Sequence, residues 1–218
     1  MARFSLARVM EGVATACRDW VTPSVSVIAE QHRSPYHVLV SCIISLRTKD
    51  AVTAVASRRL FEQAPDLRSL ASLDEELVAS CIYPAGFYRN KARQLCALAR
   101  ELSERSDARI PDTMEGLLAL PGVGRKTANL VLTLGFGLPG ICVDIHVHRI
   151  CNRWGYVETR TPDETEAVLR TRLPKQYWIP INDLLVCFGQ NCCYPVSPAC
   201  SRCAVSRYCP RVGVTRSR

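Results

Sequence analysis

The stretch Leu120-Pro121-Gly122-Val123-Gly124-Arg125-Lys126-Thr127-Ala128 decides the fold, because it sets a short glycine turn between two helical patterns. Before the turn, Asp112 and Glu115 form a capping-box-like start, and apolar residues follow at the i, i+3, i+4 spacing of an amphipathic helix across residues 114–118. The same spacing recurs across residues 128–135. These features predict a helix-hairpin-helix.

The glycines of this turn predict a site that can hold a phosphate. Gly122 and Gly124 can take positive φ and carry no side chain. An anion from another chain can therefore approach the backbone N–H groups around Val123 and the N-terminus of the next helix. A GxG turn is equally typical of a purely structural corner between two helices, so the neighbouring residues have to decide between the two interpretations.

Lys126 lies in the first turn of the second helix, where a positive charge opposes the helix dipole and the pKa of the amine is lowered. Shifting the pKa of a lysine from about 10.4 to the range of about 7–8 that suits an amine nucleophile takes about 4 kcal/mol. The dipole contributes only about 0.3–1 kcal/mol. We therefore expect burial of Lys126 to supply the remainder.

Asp144 lies eighteen residues after Lys126. Aspartate is a leading N-cap residue, and taken alone Asp144 is more typical of the cap of a helix that begins at Ile145. The alternative is a carboxylate that assists a nearby amine in proton transfer.

Two motifs, LPGVGRKTA at residues 120–128 and VDIHVHR at residues 143–149, together resemble the endonuclease III family of DNA glycosylases with lyase activity, and the resemblance extends over nearly the whole chain. It implies that Lys126 is the Schiff-base nucleophile and that Asp144 is its acidic partner. It also implies DNA contacts for the turn residues and for one histidine, namely Gly122, Val123, Gly124 and His146.

Helical periodicity runs through almost all of the sequence, and no alternating pattern is long enough for a sheet. The fold class is therefore expected to be all-α. The resemblance implies a two-lobed helix-hairpin-helix glycosylase fold. Its lobes are a six-helix lobe over residues 28–138 and an iron-sulfur cluster lobe over residues 1–27 and 139–218, with a catalytic cleft between Lys126 on one lobe and Asp144 on the other.

Composition narrows the class of protein and of partner. The net charge of +8 and the pI of about 9.0 favour a polyanionic partner without specifying it. The sequence shows neither a targeting signal nor a run of about 18 apolar residues that could span a membrane. Half of the twelve cysteines are scattered among apolar helical residues, as is typical of reduced core thiols. We expect a monomer without membrane contact in a reducing compartment, the nucleoid-associated cytoplasm if the source is prokaryotic.

The last four cysteines, Cys193, Cys200, Cys203 and Cys209, are separated by six, two and five residues. At such short spacing four thiolates can converge on one metal centre, and the residues alone leave both tetrahedral zinc and a four-iron cluster open. The spacing matches the cluster motif of the endonuclease III family, so the resemblance implies a [4Fe–4S] cofactor. Cys192 is an alternative first ligand. The loop over residues 194–199, usually basic in the family, carries no charge here.

Two short segments align with the family's residues that fill the gap left by a flipped base. Residues 45–50 align with the segment that supplies a glutamine, and Arg47 takes that position. Residues 86–92 align with the segment that supplies an apolar wedge, and Phe87 takes that position. Each has a simpler interpretation, a solvated residue between helices for Arg47 and an ordinary core residue for Phe87.

These expectations combine into a base-excision repair enzyme, a DNA glycosylase with AP lyase activity on damaged pyrimidines. Its partner would be double-stranded DNA that contains damaged bases or abasic sites, because a damaged base costs less to extrude than a sound one. No diffusible cofactor is implied. Two alternatives are a monofunctional mismatch glycosylase, which the presence of Lys126 disfavours, and a non-catalytic iron-sulfur protein that uses the hairpin only to hold DNA phosphate.

Overall fold

The computed structural model describes residues 4–105 and 108–218, and all regular structure in these ranges is helical, which confirms the all-α class. The same ranges contain twelve α-helices: α1 Leu6–Cys17, α2 Ser24–His32, α3 Pro35–Ser45, α4 Asp50–Gln63, α5 Leu67–Ser72, α6 Glu75–Ile82, α7 Tyr88–Glu104, α8 Met114–Leu118, α9 Arg125–Leu130, α10 Ile145–Arg153, α11 Pro162–Arg172 and α12 Pro180–Asn191. A π-helical turn, Val131–Gly135, continues α9. Across the described part of the chain, no helix combines the length and the apolar character needed to cross a membrane.

The chain divides into two compact units, Ser24–Gly140 and a second that joins Met1–Pro23 to Ile141–Arg218. Within its described residues the first unit holds the α-helices α2 to α9. Aspartates start two of them: the Asp66 side chain accepts from the N–H of Ser69 at 2.8 Å, and that of Asp74 accepts from the N–H of Leu77 at 2.7 Å.

The core of the first unit is built around α3. Every residue from Tyr36 to Ile44 is buried, because α3 packs against α2, α4, α7 and the π-helical turn. Burying one large aliphatic side chain completely contributes about 1.5–3 kcal/mol to folding, so this helix is a main source of stability. The C-terminal end of α3 leads directly to Arg47, which therefore follows a helix that is buried along almost its whole length.

The core of the second unit is formed by α1, α10, α11 and α12. Val13, Ile150 and Phe188 are among its fully or almost fully buried residues. The loop that follows α12 is anchored in the same core by Val205 and Tyr208. The cysteine-rich segment is thus held against α10, the helix that begins after Asp144.

Candidate functional site

The helix-hairpin-helix is formed by α8 and α9, which are joined by residues 119–124. The N-cap of α8 is Thr113 rather than Asp112, and its Oγ1 accepts a hydrogen bond from the N–H of Gly116 at 3.1 Å. Within the turn, the N–H of Val123 donates to the carbonyl of Leu120 at 3.1 Å, and the side chain of Val123 is buried. The Val123 amide is committed to the turn itself, so any phosphate contact is left to its neighbours.

The two hairpin glycines serve different purposes. Gly122 has a φ of 72°, a conformation that favours glycine, whereas Gly124 has a φ of −92° and a ψ of 173° and does not use positive φ. Both glycines are exposed. A Cβ built on Gly124 would meet no described atom within 4 Å. Gly124 thus leaves open space at the N-terminus of α9, as the close approach of a phosphate requires.

Lys126 is the second residue of α9 and is exposed. The prediction that the protein core buries this lysine is therefore wrong. The reason is the helix phase, since the buried face of α9 begins one residue later and runs from Thr127 to Leu130. An exposed amine next to an open turn can be reached by a ligand, and the ligand rather than the core has to desolvate it.

Asp144 is the N-cap of α10, as its residue type predicted. Its Oδ1 accepts hydrogen bonds from the N–H groups of His146 at 2.8 Å and Val147 at 3.0 Å, and the residue is buried. These bonds fix the direction of the carboxylate. Asp144 belongs to the second unit and Lys126 to the first, and a catalytic pairing of the two stays a prediction.

His146 lies in the first turn of α10 and is half-buried. Its Nδ1 is 3.1 Å from Nη2 of Arg149, and the same Nη2 donates to the carbonyl of Cys193 at 2.9 Å. Because a guanidinium only donates, Nδ1 is the acceptor, and the proton of the neutral ring is on Nε2. The structure thus connects His146 to the cysteine segment, and its contact with DNA stays a prediction.

Arg47 and Phe87 lie side by side on the first unit. The guanidinium carbon of Arg47 is 5.6 Å from the centroid of the Phe87 ring, within the range of a cation–π contact. Phe87 is 60% exposed, so its interpretation as a core residue is wrong. The pair borders an open cavity whose other lining residues are Leu46, Asn90, Lys91 and Gln94.

The backbone at both residues is in the left-handed region, with φ of 52° at Arg47 and 57° at Phe87. For residues other than glycine this conformation costs on the order of 1–3 kcal/mol and persists only where the surroundings enforce it. The two turns touch through Gly86, since a Cβ there would lie 2.4 Å from the carbonyl oxygen of Arg47. Glycine at this position allows the two strained turns to pack together.

Lys91 is a residue of this region that the sequence analysis did not single out. It is only 5% exposed, and its Nζ donates to the carbonyls of Ile44 at 2.7 Å and of Leu46 and to Oγ1 of Thr48 at 2.8 Å. Burial lowers the pKa of Lys91 to about 8. The available signal was its position in the helical period, because Lys91 lies one turn before Leu95 on the apolar face of α7.

The four predicted cysteine ligands line one cavity in the second unit. The cavity is bordered by Cys193, Cys200, Cys203 and Cys209, and also by Cys192. All of these cysteines are thiols without a disulfide, and Cys203 shares a hydrogen bond with Cys192. Among residues 4–105 and 108–218, no three ligating side chains are arranged as for a bound metal ion. A set of four thiols around one small cavity is nonetheless the donor set that a thiolate-bound centre needs.

Arg153, the last residue of α10, binds the segment that carries the first of these cysteines. Its Nη1 donates to Sγ of Cys193 at 3.3 Å and to the carbonyl of Tyr194 at 2.6 Å, and its Nη2 donates to the carbonyl of Pro195 at 2.7 Å. Burial raises the pKa of the Cys193 thiol, while Arg153 opposes that shift. Burial also raises the pKa of Cys209 to about 11. The residues present fit a site in which the thiols ionise when metal is bound.

Several known proteins are similar to this chain in sequence or in fold. A family model described as "HhH-GPD superfamily base excision DNA repair protein" matches residues 40–175. Endonuclease III of Thermotoga maritima is 46% identical over 175 residues, which cover 80% of this chain and 82% of that protein. Endonuclease III homolog 1, chloroplastic, of Arabidopsis thaliana is 41% identical over 186 residues, and this chain spans 48% of that longer protein.

Among solved structures, a trapped endonuclease III–DNA covalent intermediate, described as an estranged-adenine complex, superposes with a TM-score of 0.82 at 30% identity, and the match covers 94% of each chain. The family model spans more than half of this chain, and the Thermotoga relative is covered over most of its length. The chain therefore belongs to the HhH-GPD superfamily of base excision DNA repair proteins and, within it, to the endonuclease III family of DNA glycosylases with AP lyase activity.

Proposed function

We propose that this chain excises damaged pyrimidines from double-stranded DNA and cuts the strand at the abasic site that results. The observation that carries the proposal is the exposed amine of Lys126, two residues beyond the open turn position Gly124, in a chain of the endonuclease III family. A phosphate held at the N-terminus of α9 would bring the sugar of a neighbouring nucleotide close to Lys126.

The proposed chemistry uses the neutral amine of Lys126. Its Nζ attacks C1′ of the extruded nucleotide, and the bond between C1′ and the base breaks, so that the base leaves with the bonding electrons and takes up a proton. The nitrogen then loses a proton, and its lone pair breaks the bond between C1′ and the ring oxygen O4′, which takes up a proton, so that the sugar opens to a protonated imine. The imine acidifies C2′, and removal of a C2′ proton expels the 3′ oxygen with its phosphate by β-elimination.

We assign to Asp144 the role of acid–base and electrostatic partner. Its carboxylate would accept a proton from the attacking amine and stabilise positive charge on the sugar. The hydrogen bonds from His146 and Val147 already fix its direction, so the group needs no reorganisation during the reaction. For Lys126, the bound nucleotide would supply the desolvation that favours the neutral amine, because the free protein leaves it exposed.

Arg47 and Phe87 would fill the gap that the extruded nucleotide leaves behind. Both side chains are exposed and lie next to each other, and both residues have a strained left-handed backbone. The cavity beside them is open and could admit a base. An aromatic ring stacks on bases of any sequence, and a guanidinium can donate to the orphaned partner. In this proposal the Phe87 ring stacks on the neighbouring bases in place of the extruded base, and Arg47 contacts the unpaired base on the opposite strand.

We further propose that Cys193, Cys200, Cys203 and Cys209 hold a [4Fe–4S] cluster. The family is known to carry this cofactor. All four thiols border the same cavity, as the ligands of one thiolate-bound centre must. Held by these four cysteines, a cluster would cross-link the loop, and Arg153 would still donate to the sulfur of Cys193.

Reduction with borohydride during the reaction tests the proposed function, because it converts an imine with abasic DNA into a stable covalent bond. The chain has only four lysines, Lys49, Lys91, Lys126 and Lys175, so mass spectrometry of the cross-linked peptide identifies the nucleophile. We expect the adduct on Lys126. Lys126→Ala should abolish both trapping and strand cleavage while abasic-site binding stays within about tenfold, because backbone contacts to phosphate survive.

The matched control is Lys175→Ala, which removes an exposed lysine from the other unit and should leave trapping unchanged. An adduct on a different lysine would contradict the assignment of the nucleophile. Base release without any trapping would support the monofunctional alternative, and binding without base release the non-catalytic one. The monomeric state stays a prediction, which light scattering of the protein with and without duplex DNA checks.

A further inference from the structure

We propose that Lys91 and Gln94, one turn apart on α7, are positioning residues that hold the pair Arg47–Phe87 in register with the turn at Gly122. The inference rests on the proposed function, in which the pair enters the base stack and the turn holds a phosphate. Lys91 and Gln94 act through the backbone of the segments that make these contacts.

Lys91 fixes the segment that carries Arg47. An ammonium has three donors, and all three are used, on the carbonyls of Ile44 and Leu46 and on the hydroxyl of Thr48. Leu46 and Thr48 flank Arg47, so the turn is held on both sides of it. With Lys91 almost completely buried, water does not compete for these bonds.

Thr48 passes this constraint to the turn that carries Phe87. Its Oγ1, which accepts from Lys91, also accepts a hydrogen bond from the N–H of Gly86 at 3.0 Å. The backbones of Gly86 and Arg47 are in direct contact, with no room for a Cβ on Gly86. Arg47 and Phe87 therefore belong to one connected structure that is centred on the ammonium of Lys91.

Gln94 connects the same helix to the hairpin. Its Nε2 donates to the carbonyl of Pro121 at 2.9 Å. The side-chain amide lies directly against the turn, since a Cβ on Gly122 would be only 2.1 Å from that Nε2. The position of the hairpin turn is thus set by a side chain of α7.

The spacing of Lys91 and Gln94 along α7 sets the distance between the pair Arg47–Phe87 and the turn at Gly122. Residues three apart lie on the same face of a helix, so Lys91 and Gln94 point toward the same side. At 1.5 Å per residue, the rise from Phe87 to Gln94 is about 10 Å. A helix maintains this separation rigidly, and a displacement of about 1 Å at a reacting centre can cost on the order of 100-fold in rate.

A purely structural role for these residues makes a different prediction. Lys91 also binds carbonyls at the C-terminal end of α3, where a positive charge is favourable in any helix. If that were its whole role, its loss would lower stability without depending on whether Phe87 is present. The dependence on Phe87 is therefore the informative measurement.

The experiment measures single-turnover excision of an oxidised pyrimidine from duplex DNA and, in parallel, borohydride trapping on single-stranded abasic DNA, which has no partner base to be orphaned. For Lys91→Met and Gln94→Met we expect excision to slow by about 10-fold to 100-fold, and for Lys91→Met, which does not touch the hairpin turn, we expect trapping to change by less than about twofold. The control is Arg93→Gln, on the same helix but exposed and directed toward Glu75 at 3.8 Å, which should change neither.

Each variant is then combined with Phe87→Ala. We expect the added effect of Lys91→Met or Gln94→Met to shrink below about threefold in that background, because the residue that they position is gone. Undiminished effects, or an equal loss of trapping, would overturn the proposal. If Lys91→Met does not fold, the combination of Gln94→Met with Phe87→Ala tests the proposal by itself. Failure of the wild-type protein to trap would instead count against the proposed function.

Discussion

The guanidinium carbon of Arg47 lies 5.6 Å from the ring centroid of Phe87, and the two residues meet from turns that are forty positions apart in the chain. An exposed cation–π contact contributes only about 0.5–1 kcal/mol. Stacking of one base on an aromatic ring contributes about 1–3 kcal/mol. DNA can therefore separate the pair at little cost, and each residue can then serve its own contact.

Arg47→Gln is expected to reduce a preference for lesions opposite guanine. Arginine only donates, whereas glutamine donates and accepts, and guanine offers acceptors to a guanidinium. A good bidentate contact contributes about 1–3 kcal/mol, and the single acceptor on the Watson–Crick edge of guanine favours the lower part of that range. The measurement is the rate of single-turnover excision of one oxidised pyrimidine placed opposite guanine or opposite adenine. The ratio of these two rates is compared between wild type and Arg47→Gln.

The control for this comparison is Arg89→Gln, an exposed arginine nearby that contacts Tyr88 instead of Phe87. It should leave the guanine-to-adenine ratio as it is. If Arg47→Gln also leaves the ratio unchanged, Arg47 only fills space or contacts phosphate, and the specificity claim is withdrawn.

Asp144→Asn is expected to fold normally and to excise slowly. Asparagine is as good an N-cap as aspartate, so the free energy of unfolding should change by less than about 0.5 kcal/mol, whereas Asp144→Ala should lose about 0.5–2 kcal/mol. Removal of a general acid–base group should slow excision by about 10²–10⁴. Thermal unfolding and single-turnover excision on both variants separate the two effects; full activity of Asp144→Asn would leave the carboxylate with a capping role only.

Cys200→Ser and Cys203→Ser are expected to give colourless, poorly soluble protein, since loss of one ligand leaves the remaining thiols and the last turns of the chain without their cross-link. The wild-type protein should be yellow-brown and contain iron and sulfide. Cys17→Ser, a half-buried thiol away from the cavity, is the control and should retain the colour. Colourless wild-type protein with stoichiometric zinc would overturn the iron assignment.

Lys91 should make stability rise with pH in an alkaline window. Its pKa is about 8 in the folded protein and about 10.4 in an unfolded chain, so between these values the unfolded state binds more protons and the free energy of unfolding increases with pH. Denaturant titrations of wild type and Lys91→Met at several pH values from 7 to about 10.5 give the difference between the two proteins. A difference that is flat or falls with pH over this window contradicts the lowered pKa.

The sequence predicted the helix-hairpin-helix, the all-α class and the N-cap at Asp144, because helical spacing and capping are local properties. Local competition explains the error at this level, since Thr113 caps α8 in place of its neighbour, the predicted Asp112. The exposure of Lys126 depends on the phase of α9 against its core, which the motif does not specify.

The sequence could suggest site residues where the residue types carry their own chemistry, as the four cysteines and Lys126 do, and the roles of these residues stay predictions. The pairing of Arg47 with Phe87 and the anchoring role of Lys91 were not, because they depend on contacts between segments about forty residues apart. A buried lysine is recognisable only once its three acceptors are known. Gln94 likewise looks like an ordinary helix residue until the hairpin turn is placed against it.

The enclosure of the Lys91 ammonium by three oxygen acceptors also has a chemoselective consequence. An abasic site exposes an aldehyde that condenses with any neutral amine, whereas arginine stays protonated and does not form such adducts. Lysines make up only four of the 28 lysine and arginine residues, and Lys91, whose pKa burial lowers to about 8, is almost completely buried. The positive charge that attracts DNA is thus carried almost entirely by groups that are inert toward the aldehyde, which keeps unproductive covalent capture of the damaged strand to a minimum.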